Sequence, residues 1–141
     1  MTLKCLAVAV AMYAPADIGE QTFGIALEAI AEVEGGLSGL ESQNDNGTAD
    51  LGRMQINTIW VPELAQAWGR SQEETKALLR DNECRNVVVS AYILSMKVHE
   101  AGGLWGGIRL YHSATPDKAD AYQAKVVAVL QRRLKKDAAD G

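Results

Sequence analysis

The sequence predicts a mainly α domain of the α+β kind, a helical lobe with one short β-hairpin beside a cleft. Three observations lead there. Apolar residues recur at the helical period through most of the chain. Only the stretch around residues 44–57, with its Asn46-Gly47 turn signal, is too rich in glycine and polar groups for a packed helix. The chain has 141 residues, 48% of them apolar, and neither repeat nor low-complexity linker, which is enough for one core. A net charge of −4 leaves no broad basic surface and argues against a nucleic-acid partner.

The N-terminus admits two readings. Met1 to Lys4 carries one positive charge, residues 5–14 carry none, and Ala14-Pro15-Ala16 has the small-x-small form of a signal-peptidase site. The stretch is short for a signal peptide and far too short to span a membrane. The alternative is a buried first helix. The sequence leans to a leader over residues 1–16, with a domain over 17–136.

Phe23 to Glu34 reads as the first helix of that domain. Leu27, Ile30, Ala31 and Glu34 share one face, because seven residues make nearly two turns. Glu28 and Glu32 fall elsewhere on the cylinder, where solvated acids are expected. Glu34 instead sits on the core-facing stripe, in the last turn before Gly35-Gly36. Partial burial and the negative end of the helix dipole both disfavour its charge and raise its pKa. Those are the properties of a general acid working near neutral pH.

The other elements follow in order. Residues 44–57 form the hairpin, returning Asp50, Gln55 and Asn57 towards that helix. Pro62 to Trp68 is a helix with proline in its first turn and Gly69 as its stop. Ser71-Gln-Glu-Glu74 is a capping box that opens a helix through Arg80. Asn82 caps a longer helix, with Val87, Ala91, Leu94, Ser95 and Val98 inward and Gly102-Gly103 at its end. Leu104 to Tyr111 is a brief helix. Thr115-Pro116 starts the last one, which runs to about Lys135 with Tyr122, Val126, Val129 and Leu130 inward. Arg132-Arg133-Leu-Lys135-Lys136 is its solvated cationic end, and residues 137–141 are a frayed tail.

Taken together, Ala29-Ile-Ala-Glu-Val-Glu34-Gly-Gly36 and Asn46-Gly-Thr-Ala-Asp50-Leu-Gly-Arg-Met54-Gln-Ile-Asn57-Thr-Ile-Trp60 resemble the soluble lytic transglycosylases. The nearest branch is the small single-domain enzymes of conjugation, secretion and pilus systems. The likeness continues through Asp81-Asn-Glu-Cys84-Arg-Asn86 and Trp105-Gly-Gly-Ile-Arg-Leu-Tyr111-His112-Ser113, and covers about residues 24 to 128. It implies a lysozyme-like fold that cleaves peptidoglycan between N-acetylmuramic acid and N-acetylglucosamine and leaves a 1,6-anhydro end. By position, Glu34 would be the catalytic acid and base. Gln55, Asn57, Met54 and Trp105 would bind substrate, with Tyr111 close to the acid. No cofactor is implied. The expected partners are glycan strands and a type IV secretion, conjugation or pilus machine, for a monomer in the periplasm. In related enzymes a cysteine near the mature N-terminus pairs with the one at the position of Cys84. Cys5 is the candidate here, and a Cys5–Cys84 bridge excludes cleavage after Ala16.

Three departures stand out: Gly35 replaces a serine, Arg53 an apolar or small residue, and His112 an asparagine. Arg53 is expected to be solvent-exposed. Asp50 is a candidate second carboxylate, as in a goose-type lysozyme-like hydrolase, although backbone N–H bonds in a glycine-bounded turn explain it more simply. His99 and His112 make no metal-ligand pattern with the cysteines, so no metal is expected. Trp60 and Trp68 are expected in the core. Ser113 has no base at a recognisable spacing, so serine nucleophilic chemistry is not supported. A non-catalytic peptidoglycan-binding scaffold on the same fold is the alternative from a different class.

Overall fold

The computed structural model describes residues 1–112 and 115–140. The fold class is the predicted one, mainly α with a small antiparallel sheet. Seven α-helices occupy Leu3–Tyr13 (α1), Glu20–Glu34 (α2), Val61–Trp68 (α3), Gln72–Asp81 (α4), Glu83–Ala101 (α5), Leu104–His112 (α6) and Pro116–Asp140 (α7). Three strands, Glu41–Gln43 (β1), Ala49–Leu51 (β2) and Ile56–Asn57 (β3), lie between α2 and α3. No helix among the described residues is long and apolar enough to cross a membrane.

The long helix α5 is the axis, because its buried residues run right round it. Val87, Ala91, Leu94 and Val98 are joined in the core by Val89 and Ile93. Against it pack α1, α4 and α6, and Phe23, Leu27 and Ile30 of α2 belong to the same cluster. The helix ends follow the expected chemistry. The Ser71 hydroxyl accepts from the Glu74 N–H at 3.0 Å and the Asn82 side chain from the Arg85 N–H at 3.0 Å. Gly35, Gly69 and Gly102 end α2, α3 and α5 in the left-handed conformation.

Three expectations are corrected. The hairpin is a three-stranded sheet in the order β1-β2-β3, with Ser42 opposite Asp50 and Asp50 opposite Asn57. Strands of two or three residues are too short to show alternation in sequence. Leu3–Tyr13, for which a leader and a first helix both stood open, is helical in α1, with Cys5, Ala9 and Val10 buried and Cys5 bonded to Cys84. An uncharged stretch of small apolar residues serves a buried helix as well as a leader, so composition could not separate them. The tail is helical to Asp140, because alanine-rich sequence holds no breaker.

The third correction concerns charge. Arg133 pairs with Glu28 at 2.7 Å and with Glu32, and Arg132 pairs with Glu32. These acids and cations therefore tie α7 to α2 rather than facing bulk water alone. Partly exposed pairs of this kind contribute little each, on the order of 1 kcal/mol or less.

Candidate active site

Glu34 is the last residue of α2, and its side chain is only 19% exposed. It lines a groove of about 470 Å³ between the sheet and helices α5, α6 and α7. The position follows from the helix pattern, and the helix stops there because Gly35 takes φ +65°. Glycine at 35 suits this left-handed turn.

The loop after β2 is docked onto that helix end from two sides. Arg53, expected in solvent, donates through Nη1 to the carbonyls of Ala31 and Gly36, both at 3.0 Å. It therefore pins the loop to the end of α2, adding a second donor to the Ala31 carbonyl, which also accepts the Gly35 N–H at 3.1 Å. Gly36 is a close-approach glycine: a Cβ there would lie 2.3 Å from the Gly52 carbonyl oxygen and 2.7 Å from that of Arg53. On the other side stands Asn86, buried in α5. Its Oδ1 accepts from the Met54 N–H at 2.8 Å, and its Nδ2 donates to the carbonyls of Leu51 at 2.9 Å and Leu79 at 2.8 Å. Gln55 emerges from the loop into the groove with φ +51°, the one non-glycine residue with positive φ among those described. A left-handed backbone at an ordinary residue costs on the order of 1 kcal/mol and persists where the surroundings dictate it. Asn86→Ala is expected to lower stability by about 3 kcal/mol, since it strands a buried N–H and two carbonyls. Urea denaturation checks the value, and a loss below about 1 kcal/mol would mean that water replaces the amide.

The electrostatics centre on Glu34, whose pKa is raised to about 7. Burial is the largest cause. The Tyr122 hydroxyl opposes the rise, the Asp50 charge adds to it, and Lys125 opposes it. The Tyr122 hydroxyl is buried near enough to Glu34 to act on its charge, and makes no regular hydrogen bond among the described residues. Tyr111 lines the groove, shares a 2.8 Å hydrogen bond with the Ser90 hydroxyl, and is held protonated by burial. His112 stacks on the Tyr122 ring, with centroids 4.3 Å apart and planes 4° from parallel. Its Nδ1 lies 4.0 Å from Glu34 Oε1.

Asp50 also lines the groove, from the middle of β2. It accepts from Asn57 Nδ2 at 3.0 Å, a side-chain partner where backbone N–H groups were expected. Asn57 Nδ2 also reaches Thr48 Oγ1 at 3.1 Å, so the amide is held at two points, one just before β2 and one within it. Glu34, Asp50, Gln55, Asn57 and Tyr111 thus share one groove. Two of the predicted site residues do not. Met54 is fully buried in the core, where Asn86 holds its N–H and the left-handed backbone at Gln55 turns the chain back to the groove. Trp105 is 44% exposed on α6 and lies outside the groove lining. Trp60, read as core, lines the groove beside Ile59 and gives it an apolar rim. The expectation at Ser113 lies outside the described residues. A larger hollow of about 590 Å³ lies around Trp68 and Cys84, but its one carboxyl group, Glu63, is exposed.

No family model matches the chain. It is 34% identical over 128 residues to the invasion protein IagB of Salmonella typhi, spanning 86% of this chain and 77% of that one. It is also 30% identical over 115 residues to the protein IpgF of Shigella flexneri, spanning 81% of this chain and 72% of the relative. The chain belongs to the IagB/IpgF family. For this IagB/IpgF member, the groove residues most easily overlooked in sequence are Tyr122 and His112, which face Glu34 from helices far along the chain. Tyr122 is visible beforehand only as an inward position of α7. Asn86 offered a fainter signal, a polar residue one turn before Ser90 on a stripe that is otherwise apolar.

Proposed function

We propose that this protein is a lytic transglycosylase acting on peptidoglycan, with Glu34 as both acid and base. The observation that carries the reading is a single carboxyl group poised near pKa 7 in a groove walled by amides and an apolar rim. At neutral pH about half of such groups are protonated, so the same residue can give a proton and take one back.

Protonated Glu34 donates to the glycosidic oxygen between N-acetylmuramic acid and N-acetylglucosamine. The C1–O bond breaks, its electron pair leaves with that oxygen, and positive charge develops at C1. The Glu34 carboxylate then removes the proton of the muramic C6 hydroxyl, whose oxygen closes on C1. Glu34 ends protonated, the product carries a 1,6-anhydro ring, and no water is consumed. The Tyr122 hydroxyl supports this cycle, since a buried donor acting on Glu34 can stabilise the carboxylate between the two proton transfers. Gln55, Asn57 and Asn44 offer amides suited to N-acetyl and hydroxyl groups, and Trp60 and Ile59 an apolar face for a sugar ring.

Asp50 in the same groove supports a second reading, a hydrolase in which it activates water. Mass spectrometry of the fragments released from purified sacculi separates the two: anhydro ends are lighter by one water than hydrolytic reducing ends. Asp50→Asn is expected to lower stability by about 1 kcal/mol, through the weakened Asn57 contact, and turnover by less than about tenfold. A well-folded Asp50→Asn protein slowed about a thousandfold would favour the hydrolase. Loss of fragment release with glycan binding intact in the wild type would favour a scaffold.

The Cys5–Cys84 bridge supports an oxidising compartment, which in a bacterium is the periplasm, where this substrate lies. By likeness to a relative named as an invasion protein, the proposed role is local opening of the wall for a secretion machine.

A further inference from the structure

His112 ends α6 with its ring against Tyr122 and its Nδ1 turned to Glu34, 4.0 Å away. A parallel stack at 4.3 Å fixes the plane of the imidazole, so the ring cannot swing out of the groove without losing that contact. The pair therefore places a second titratable group within direct electrostatic reach of the acid. We propose that His112 sets the acid limit of activity: neutral, it leaves Glu34 free to cycle its proton, and as imidazolium it arrests the cycle. The inference rests on the transglycosylase reading of Glu34.

The reason is charge. An imidazolium at 4 Å holds the Glu34 carboxylate in an ion pair and weakens it as the base that must take the C6 proton. It also sets a cation beside a reaction centre where positive charge develops at C1. The surrounding groups determine which form prevails. Asp50 on β2 favours the imidazolium. Burial, Lys125 and Lys118 on α7 oppose it, burial most strongly, and together hold His112 below the usual histidine value. Lys97 on α5 adds another cation to the groove wall, and Tyr111 beside it on α6 remains protonated. Glu34 meanwhile is raised to about 7. Both groups are therefore uncharged together in a window that opens above the His112 pKa and closes near pH 7.

The test is the pH dependence of fragment release from purified sacculi, over about pH 4 to 9, for the wild type and for His112→Asn and His112→Phe. Phenylalanine keeps a ring to stack on Tyr122 but cannot titrate. Each profile is normalised to its own maximum. The wild type is expected to give a bell whose acid limb coincides with the His112 Cε1–H titration followed by NMR on the same protein. Both variants should lose that limb, so that at pH 4.5 they keep at least about five times the wild type's fraction of maximal rate. The alkaline limb, set by Glu34, should stay in place. An acid limb that persists in both variants, or lies away from the NMR midpoint, would overturn the proposal and leave the role of Glu34 standing. A wild type releasing no fragments at any pH would instead remove the reading of Glu34 and this proposal with it.

Discussion

Glu34→Gln is expected to abolish fragment release, by roughly 10³-fold, and at the same time to make the protein more stable at neutral and alkaline pH. The first effect follows from chemistry: an amide nearly fills the carboxyl's space but can neither give nor accept the transferred proton. The second follows from linkage. The folded carboxyl has a pKa of about 7 against 4.5 for the unconstrained group. Between those values the native state holds a proton that the unfolded chain has released. Stability therefore falls as pH rises through that window, and the loss is complete above pH 7. A displacement of this size corresponds to roughly 3 kcal/mol. The glutamine variant does not titrate and escapes that loss. Its advantage should vanish below about pH 4.5 and be fully present by pH 8, as measured by urea unfolding at the two pH values. Equal stability of the two proteins at pH 8 would mean that the Glu34 carboxylate is solvated and not poised as an acid. The site in this view keeps a destabilising group because the reaction needs it.

Reduction of the Cys5–Cys84 bridge is expected to cost about 4 kcal/mol. The bond joins α1 to the first turn of α5 across a sequence separation of 79. A loop of that length removes much entropy from the unfolded chain, which is the origin of the figure. Against a total of about 5–15 kcal/mol for an ordinary domain, this is a large share. The bridge lies away from the groove, whose lining includes neither cysteine. Below the lowered melting temperature, reduced protein should therefore keep the turnover of the oxidised form. Paired urea titrations with and without reductant measure the stability term, and a difference under about 1 kcal/mol would show that α1 is held by packing alone. A large loss of kcat in reduced protein that is still folded would show instead that α1 positions the groove.

The comparison of sequence with structure separates two kinds of information. The helices after α1 were legible because their apolar residues repeat near 3.6 and glycine, proline or a capping side chain marks their ends, all local features. Glu34 was legible for the same reason, as the one acid on a buried stripe. Its groove-mates Gln55 and Asn57 came from a resemblance that survives in short ordered motifs. Long-range partnerships were not legible. Nothing near Arg53 in sequence says that it donates to carbonyls at 31 and 36, and nothing near Tyr122 says that its hydroxyl faces residue 34. The sheet escaped because two- and three-residue strands carry no period, and Trp60 at the groove and Trp105 in the open differ from expectation because exposure on a short helix depends on what packs over it.

By itself, then, the sequence determined a mainly helical single core and an acid placed at a helix end that stops on glycine. Both are set by interactions within a few residues, which pattern records directly. The tertiary structure alone decided how strongly that acid is desolvated, which hydroxyl and imidazole face it, and that residues 3–13 form a helix bonded to α5. Those depend on side chains tens of residues apart, which meet only when the core closes.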